Sequence, residues 1–316
     1  MILVFSATTR CNLTCKHCFR NVRQPVDLDI DLIKDVINQS MRYGINHIGF
    51  TGGEFILHPD FREIIDLVHG IQIPYSIVSN GFKFENEISF LYPRRDHIAY
   101  IAFSLDGHNA EVHDSVRGAG SFEKVTSSIK KCYEMGFHTR TCAAIGTHNI
   151  DYIEDIAMEA LKCGVHEIVY TTVLPTPTNE KLVLSVTELK KAHLRILALE
   201  RQLKIPVIVG TDIIGFGGLS HCCTLSMDAI TVDAWGNLVF CCEMADYSSL
   251  SDSRDEVVCS LYDTTLDDAM IKYSEQVHQF RCAKLKDLGF FNEPYYYSNC
   301  SYCVDYFNKK YKVDGE

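Results

Sequence analysis

Apolar and polar positions alternate with two periods along the first two-thirds of the chain. Short apolar runs predict strands at Met1–Phe5, His47–Phe50, Tyr75–Val78, Ile98–Leu105, Thr139–Ile145 and Ile168–Leu174. Stretches with helical spacing lie between them. Asp31–Tyr43 sets Ile33, Val36, Ile37, Ser40 and Met41 on one face. Phe61–Val68, Phe122–Met135 and Asp151–Lys162 follow. Gly136 and Gly164 close the last two, at the place just past a helix where glycine is favoured. Six strand–helix alternations predict parallel β/α units, which wind right-handed and curl toward a barrel. Six units rather than eight leave one side open. The expected fold class is therefore α/β, a partial (β/α)6 TIM barrel.

A helix at Thr187–Leu203 and a strand at Val207–Val209 extend this pattern, which breaks around Gly215-Phe216-Gly217-Gly218. A boundary near 205–215 divides a core over 1–210 from a smaller region over 211–316. In that region Ile230–Val232 and Leu238–Phe240 flank Trp235-Gly236-Asn237, which reads as a hairpin turn. The Ser/Asp-rich stretch Tyr247–Val257 reads as a loop.

With 316 residues, 47% hydrophobic and 22% charged, the chain has the balance of a soluble globular protein. No apolar run reaches the length of a membrane span, and no signal-peptide pattern opens the chain. A cytoplasmic monomer is the expectation. In a reducing compartment, 14 cysteines argue for metal ligation or thiol chemistry rather than a disulfide framework. A net charge of −11 argues against a nucleic-acid partner. It is compatible with a cationic substrate, such as a basic peptide or an aminosugar, although acidic surfaces also serve solubility.

Cys11, Cys15 and Cys18 form a C-x3-C-x2-C array directly after the first strand. Three thiolates can hold three irons of a four-iron cluster and leave the fourth open to a small chelating cofactor. Buried core thiols and part of a zinc site are the competing readings. The other strand ends carry polar or glycine-rich elements, at the end where α/β barrels build their sites. These are Thr51-Gly52-Gly53-Glu54, Ser79-Asn80-Gly81, Ser104-Leu105-Asp106-Gly107 with His113 and Arg117 following, and Leu174-Pro175.

In this order, over roughly residues 1–180, the set resembles the radical S-adenosylmethionine (radical SAM) core of the SPASM/Twitch branch. The resemblance implies that Cys11, Cys15 and Cys18 hold a [4Fe–4S] cluster whose open iron chelates S-adenosylmethionine. His17 takes the place of an aromatic residue near the adenine. Gly52, Gly53 and Glu54 would face the methionyl amine, and Ser104 and Arg117 the ribose and carboxylate side. Asn80 and Leu174 complete the cofactor-binding candidates. A reducing partner such as flavodoxin or ferredoxin is implied as well. Cys132, Cys142 and Cys163 fall inside predicted helices or strands and read as small core residues; His113 reads as a surface or helix residue.

Cys223 and Cys241 flank the hairpin turn, and Cys300-x2-Cys303 closes a four-thiol set that could hold a second cluster or a zinc ion. The spacing resembles a Twitch domain, which implies a small β-hairpin plus helix over 211–316 with one auxiliary [4Fe–4S] cluster. Cys223 fits the spacing, and Cys222 fits it nearly as well. Cys242 is left over beside a ligand and resembles the hydrogen-donor cysteine of peptide epimerases in this branch; Cys259 and Cys282 are rival donors. Three functions follow as expectations. The first is radical epimerisation of a peptide or small molecule, with Cys242 returning hydrogen. The second is oxidation or cross-linking, with the auxiliary cluster taking the electron. The third is non-catalytic metal binding.

Overall fold

Leu3, Phe5 and Ala7 alternate with Ser6 and Thr8 along β1 (Ile2–Thr8). The first three join the apolar core with Ile48 and Phe50 of β2 (His47–Gly52) on one face of the strand, while Ser6 and Thr8, also buried, lie on the other. The structure is a computed structural model that describes residues 1–20, 24–210, 213, 222–245, 254–288 and 298–309.

β3 (Tyr75–Ser79), β4 (Ile98–Ser104), β5 (Thr139–Ile145), β6 (Glu167–Thr172) and β7 (Val207–Val209) continue the sheet, each parallel to the one before. The crossovers are α1 (Ile30–Ser40), α2 (Phe61–Ile71), α3 (Glu85–Leu91), α4 (Ala110–Arg117), α5 (Ser121–Glu134), α6 (Ile153–Cys163) and α7 (Val186–Gln202). Ile33 and Val36 of α1, Ile64 and Val68 of α2, and Val125 and Ile129 of α5 join one core with the strands. The first strands of this sheet thus pack one face on helices. The opposite face begins with a polar belt. His47 bonds Ser76 (2.8 Å), Arg140 lies over the Tyr100 ring (3.8 Å), and Arg140 and His138 pair with Glu167.

β8 (Ala229–Val232) adds to the free edge of β1, parallel to it. β9 (Asn237–Val239) and β10 (Val257–Ser260) follow antiparallel. The ten strands form one sheet in the order β10-β9-β8-β1-β2-β3-β4-β5-β6-β7, which includes strands from both sides of the 205–215 boundary. α8 (Leu266–Leu288) and α9 (Asn299–Tyr306) pack on the hairpin through aromatic rings. Phe240 meets Phe280 and Phe307, each at 4.8 Å between centroids, and the Tyr273 hydroxyl donates to the carbonyls of Ala229 and Phe240. Each buried ring contributes about 1.5–3 kcal/mol.

The strand–helix pattern is as expected from the sequence, as is the hairpin; β2 and α2 run on to Gly52 and Ile71, β6 stops at Thr172, and three further differences stand out. β1 runs on to Thr8, because Ser6 and Thr8 find polar partners. α1 stops at Ser40, and the tighter turn Met41–Tyr43 swings Met41 out to 47% exposure, off the apolar face expected for it. α3, α4 and β10 are additions to the expected elements, and two helices, α8 and α9, stand where the Twitch resemblance implies one. Gly215-Phe216-Gly217-Gly218 and most of the Tyr247–Val257 loop lie outside the described residues. Among the described residues no helix is long and apolar enough to cross a membrane.

Candidate functional site

The cysteine loop is tied down at both ends. The Thr8 hydroxyl donates to Asp27 (2.6 Å) and accepts from the Arg10 amide, while Arg10 pairs with Asp27 (2.8 Å). The amides of Gly53 and Glu54 donate to the carbonyls of Thr8 and Arg10, each at 2.7 Å. A Cβ at Gly53 would stand 2.2 Å from the Arg10 carbonyl oxygen, and one at Gly52, whose φ is +133°, 2.4 Å from that of Thr8. The two glycines are thus needed where the end of β2 meets the root of the cysteine loop. Further on, the Lys16 amide donates to the Val116 carbonyl at the end of α4, and the Asn179 amide group to the His17 carbonyl.

The three thiols stand within electrostatic reach of one another: Cys18 raises the pKa of Cys11 and Cys15, and Cys11 raises that of Cys15. Burial pushes Cys11 up and Cys15 up to about 11. A hydrogen bond from the Leu13 backbone opposes this at Cys11, and two side-chain donors add to it. Asn80 Nδ2 lies 3.8 Å from the Cys11 sulfur, and Arg117 Nη1 4.0 Å from that of Cys15. Among the described residues no three His, Cys, Asp or Glu side chains converge on one single-ion centre. Three thiols within electrostatic reach of one another, with an amide and a guanidinium at two of the sulfurs, fit a cluster whose irons each take one thiolate.

Glu54 is buried at the end of β2. Ser79 donates to its Oε1 (2.8 Å) and the Asn80 amide to its Oε2 (2.6 Å). Burial outweighs these bonds and pushes its carboxyl up to about 7. The carboxylate expected to face a methionyl amine thus also fastens the end of β3 and sets Asn80 over Cys11.

Asp106, part of the Ser104-Leu105-Asp106-Gly107 element but not singled out in the sequence, is the centre of the neighbouring group. It is fully buried and pairs with Arg117 Nε. It also accepts from the Ala144 amide (2.8 Å), and His17 Nε2 lies 3.3 Å away. Burial pushes its carboxyl up, but Arg117, with His17 and His113 beside it, outweighs this and holds it well below the usual carboxylate range. The His17 ring stacks on His148 (centroids 6.0 Å apart), and burial drives His17 down to about 4. His113 is on a helix but fully buried, so the surface alternative does not apply. Its Nδ1 accepts from the Asp106 amide (3.1 Å), so the proton of the neutral ring sits on Nε2. Ser104 is half-buried at the end of β4, in register with Cys142. Leu174 is a buried side chain whose carbonyl accepts from Asn179. Asn179 links the end of β6 to the cysteine loop, and no sequence pattern marks it.

The second thiol group gathers three segments. Cys222 and Cys223 lie in the turn before β8, Cys241 and Cys242 just after β9, and Cys300 and Cys303 on one face of α9. Cys222 acts electrostatically on Cys241 and Cys303, and Cys223 is acted on by Cys241 and Cys242. The Cys223 thiol hydrogen-bonds Cys222 and holds its pKa below the usual thiol range. Cys222 is half-buried against the core, whereas Cys223 is exposed. Burial pushes Cys303 up to about 12.

Arg20 joins the two thiol groups. Two residues after Cys18, it donates to Ser6 on β1 (3.1 Å) and to the carbonyls of Ala245 (2.8 Å) and Cys242 (3.4 Å). The turn that carries Cys242 is thereby fixed to β1 beside the cysteine loop. The Cys242 sulfur lies 3.9 Å from Glu243 Oε1, and burial pushes Cys242 up to about 12. Glu243 also acts on Cys142 of β5, as do Asp106 and Arg117. Cys142 is accordingly not a core residue. It is half-buried and within electrostatic reach of Asp106, Arg117 and Glu243, whereas Cys132 and Cys163 belong to the core. Cys259 lies on the edge strand β10, and Cys282 is exposed on α8 beside His278.

Comparisons with known proteins agree with this layout. A family model described as the Radical SAM superfamily matches residues 5–160. Mycofactocin maturase MftC of Mycolicibacterium smegmatis is 30% identical over 165 residues, 51% of this chain and 42% of that protein. The antilisterial bacteriocin subtilosin biosynthesis protein AlbA of Bacillus subtilis is 30% identical over 172 residues, 54% of this chain and 38% of that protein. The chain thus matches about two fifths of the length of these curated relatives. Streptococcus suis SuiB bound to precursor peptide SuiA superposes with a TM-score of 0.70 at 13% identity, covering 86% of this chain and 64% of that one. The enzyme anSMEcpe with bound AdoMet and a peptide does so with a TM-score of 0.69 at 15% identity, covering 89% and 83%. These two likenesses concern the fold. The α/β fold, the ordered strand-end elements and the family match lead to one conclusion: the chain carries a radical SAM domain.

Proposed function

We propose that the protein is a radical SAM enzyme that acts on a peptide and inverts a carbon centre in it, with Cys242 as the hydrogen-atom donor. A radical SAM domain implies S-adenosylmethionine and a [4Fe–4S] cluster, which when bound supply a 5′-deoxyadenosyl radical that abstracts hydrogen from an unactivated C–H bond. Cys11, Cys15 and Cys18 would hold the cluster, with Asn80 and Arg117 directing N–H groups at two of the sulfurs. His17, Gly52, Gly53, Glu54, Ser104 and Leu174 remain the candidates around the cofactor. Cys241, Cys300, Cys303 and one of the vicinal pair would hold the auxiliary cluster. Sequence spacing favours Cys223, whereas burial and the reach to Cys303 favour Cys222, which we adopt.

One observation carries the epimerase reading: Arg20 fixes the Cys242 turn to β1 beside the cysteine loop. A thiol so placed can return a hydrogen atom to the carbon radical from the face opposite the abstraction. Restoring the Cys242 thiol then takes one electron and one proton. The electron would come from an external reductant such as flavodoxin or ferredoxin. Glu243 is the acid group beside the sulfur.

The maturase and biosynthesis functions in the relatives' names, and the precursor peptide bound to SuiB, support a peptide rather than an aminosugar. The test uses synthetic peptides encoded beside the gene, with S-adenosylmethionine and dithionite in deuterated water. One deuterium per inverted residue is expected, and Cys242→Ser abolishes it. Full turnover with deuterium uptake in that variant refutes the donor assignment. Oxidation or cross-linking is the second reading, supported by the second thiol group; it predicts loss of two hydrogens from the product instead.

A further inference from the structure

A lysine is buried beside the second thiol group. Lys284 lies on α8 one turn beyond Phe280, and none of its side chain is exposed. A lysine is almost never fully buried unless compensating charge is near. Its Nζ stands 5.5 Å from the centre of the Tyr302 ring, and Tyr302 sits between Cys300 and Cys303 on α9. Phe280, one turn before Lys284, meets the same Tyr302 ring at 5.4 Å between centroids. The thiols within its electrostatic reach are Cys303, Cys222 and Cys300. Burial works against the charged lysine, and these three groups work for it.

We propose that Lys284 is a built-in countercharge for the auxiliary thiolate centre, raising its reduction potential so that it takes up an electron more readily. The inference rests on the reading that Cys222, Cys241, Cys300 and Cys303 hold a cluster. A four-thiolate centre carries net negative charge, and one-electron reduction adds another. A fixed cation therefore favours the reduced state more than the oxidised one, and more strongly in a buried site than in water. Net charge and burial are among the factors that set the potential of such centres. Lys284 is a positioning residue here: it acts through the thiolates and touches no substrate. Both an electron relay for the Cys242 thiol and an electron acceptor in an oxidation would need this tuning.

The test uses the full chain with Cys11, Cys15 and Cys18 changed to alanine, so that one centre remains. After anaerobic reconstitution, iron is counted and the midpoint potential is titrated by electron paramagnetic resonance. The parent should hold about four irons. Lys284→Gln and Lys284→Met should each lower the midpoint by at least a tenfold change in the reduction equilibrium, about 59 mV for a one-electron couple. Lys284→Arg should keep the parent value. Neutral variants that lose the cluster while Lys284→Arg retains it also support the countercharge. Neutral variants with the parent's midpoint overturn the inference, as does loss of the cluster in all three variants. A parent without iron overturns the ligand reading itself, and the inference with it.

Discussion

Asp106 and Arg117 offer the sharpest energetic test of the site. The carboxylate is fully buried and the guanidinium 11% exposed, and they are in direct contact. At contact distance and an effective dielectric of about 20, their attraction is about 4 kcal/mol. Removing either partner strands the other in the interior, which costs about 3–5 kcal/mol. Removing both leaves no stranded charge. Asp106→Asn keeps an acceptor for the Ala144 amide, and Arg117→Met keeps the volume of the stem. Each single variant of the metal-free protein should therefore lose about 3 kcal/mol. The double variant should lose much less than the sum, with a coupling of about 2 kcal/mol or more. Urea unfolding followed by circular dichroism at neutral pH measures the cycle. Asp106 is held below the usual carboxylate range, so its stabilisation is fully present above its unfolded pKa and is lost as pH falls through the lower folded value. Single losses below about 1 kcal/mol, or an additive double variant, would refute the buried-pair account.

Glu54 has the opposite sign. Its carboxyl is pushed up to about 7 by burial, so the folded state binds the extra proton. Stability of the metal-free protein should fall by about 3 kcal/mol as pH rises from about 4.5 to about 7, and Glu54→Gln should flatten that slope in pH-resolved unfolding. Gly53→Ala places a methyl group against the Arg10 carbonyl; it should cost about 1–3 kcal/mol in unfolding and loosen iron at the first centre in reconstitution assays. A normal iron content would show that the loop root tolerates the shift. Cys222→Ala should halve the iron of the reconstituted protein and Cys223→Ala should leave it unchanged; the reverse result would return the ligand role to Cys223.

The β/α alternation was legible because β1 to β6 and most of their helices each bury one regular apolar face. The three cysteines and the strand-end elements were legible for another reason. They are short, ordered in sequence, and lie at strand ends that a parallel sheet must bring together. What escaped depends on contacts between distant segments. Nothing in Ala229–Val232 announces that it pairs with β1, because the free edge of β1 is defined only once the sheet exists. α4 is short and mostly polar, so Arg117 could be named but not placed on a helix aimed at Cys15. Asp106 was visible as part of a motif, yet its role rests on Arg117, His17 and the Ala144 amide, which come from three other segments. Arg20, Glu243 and Lys284 belong to no spacing pattern at all. Cys142 misled because a strand has two faces, and its own looks away from the core.

The claim on which the rest depends is that Cys11, Cys15 and Cys18 form the radical-generating centre. The most direct measurement is 5′-deoxyadenosine released from S-adenosylmethionine by the anaerobically reconstituted protein under dithionite, beside the same chain with Cys15→Ala. The account predicts about eight irons and steady release for the parent, and about four irons with no release for the variant. Release that survives Cys15→Ala, or a parent with full iron and no release, would contradict it.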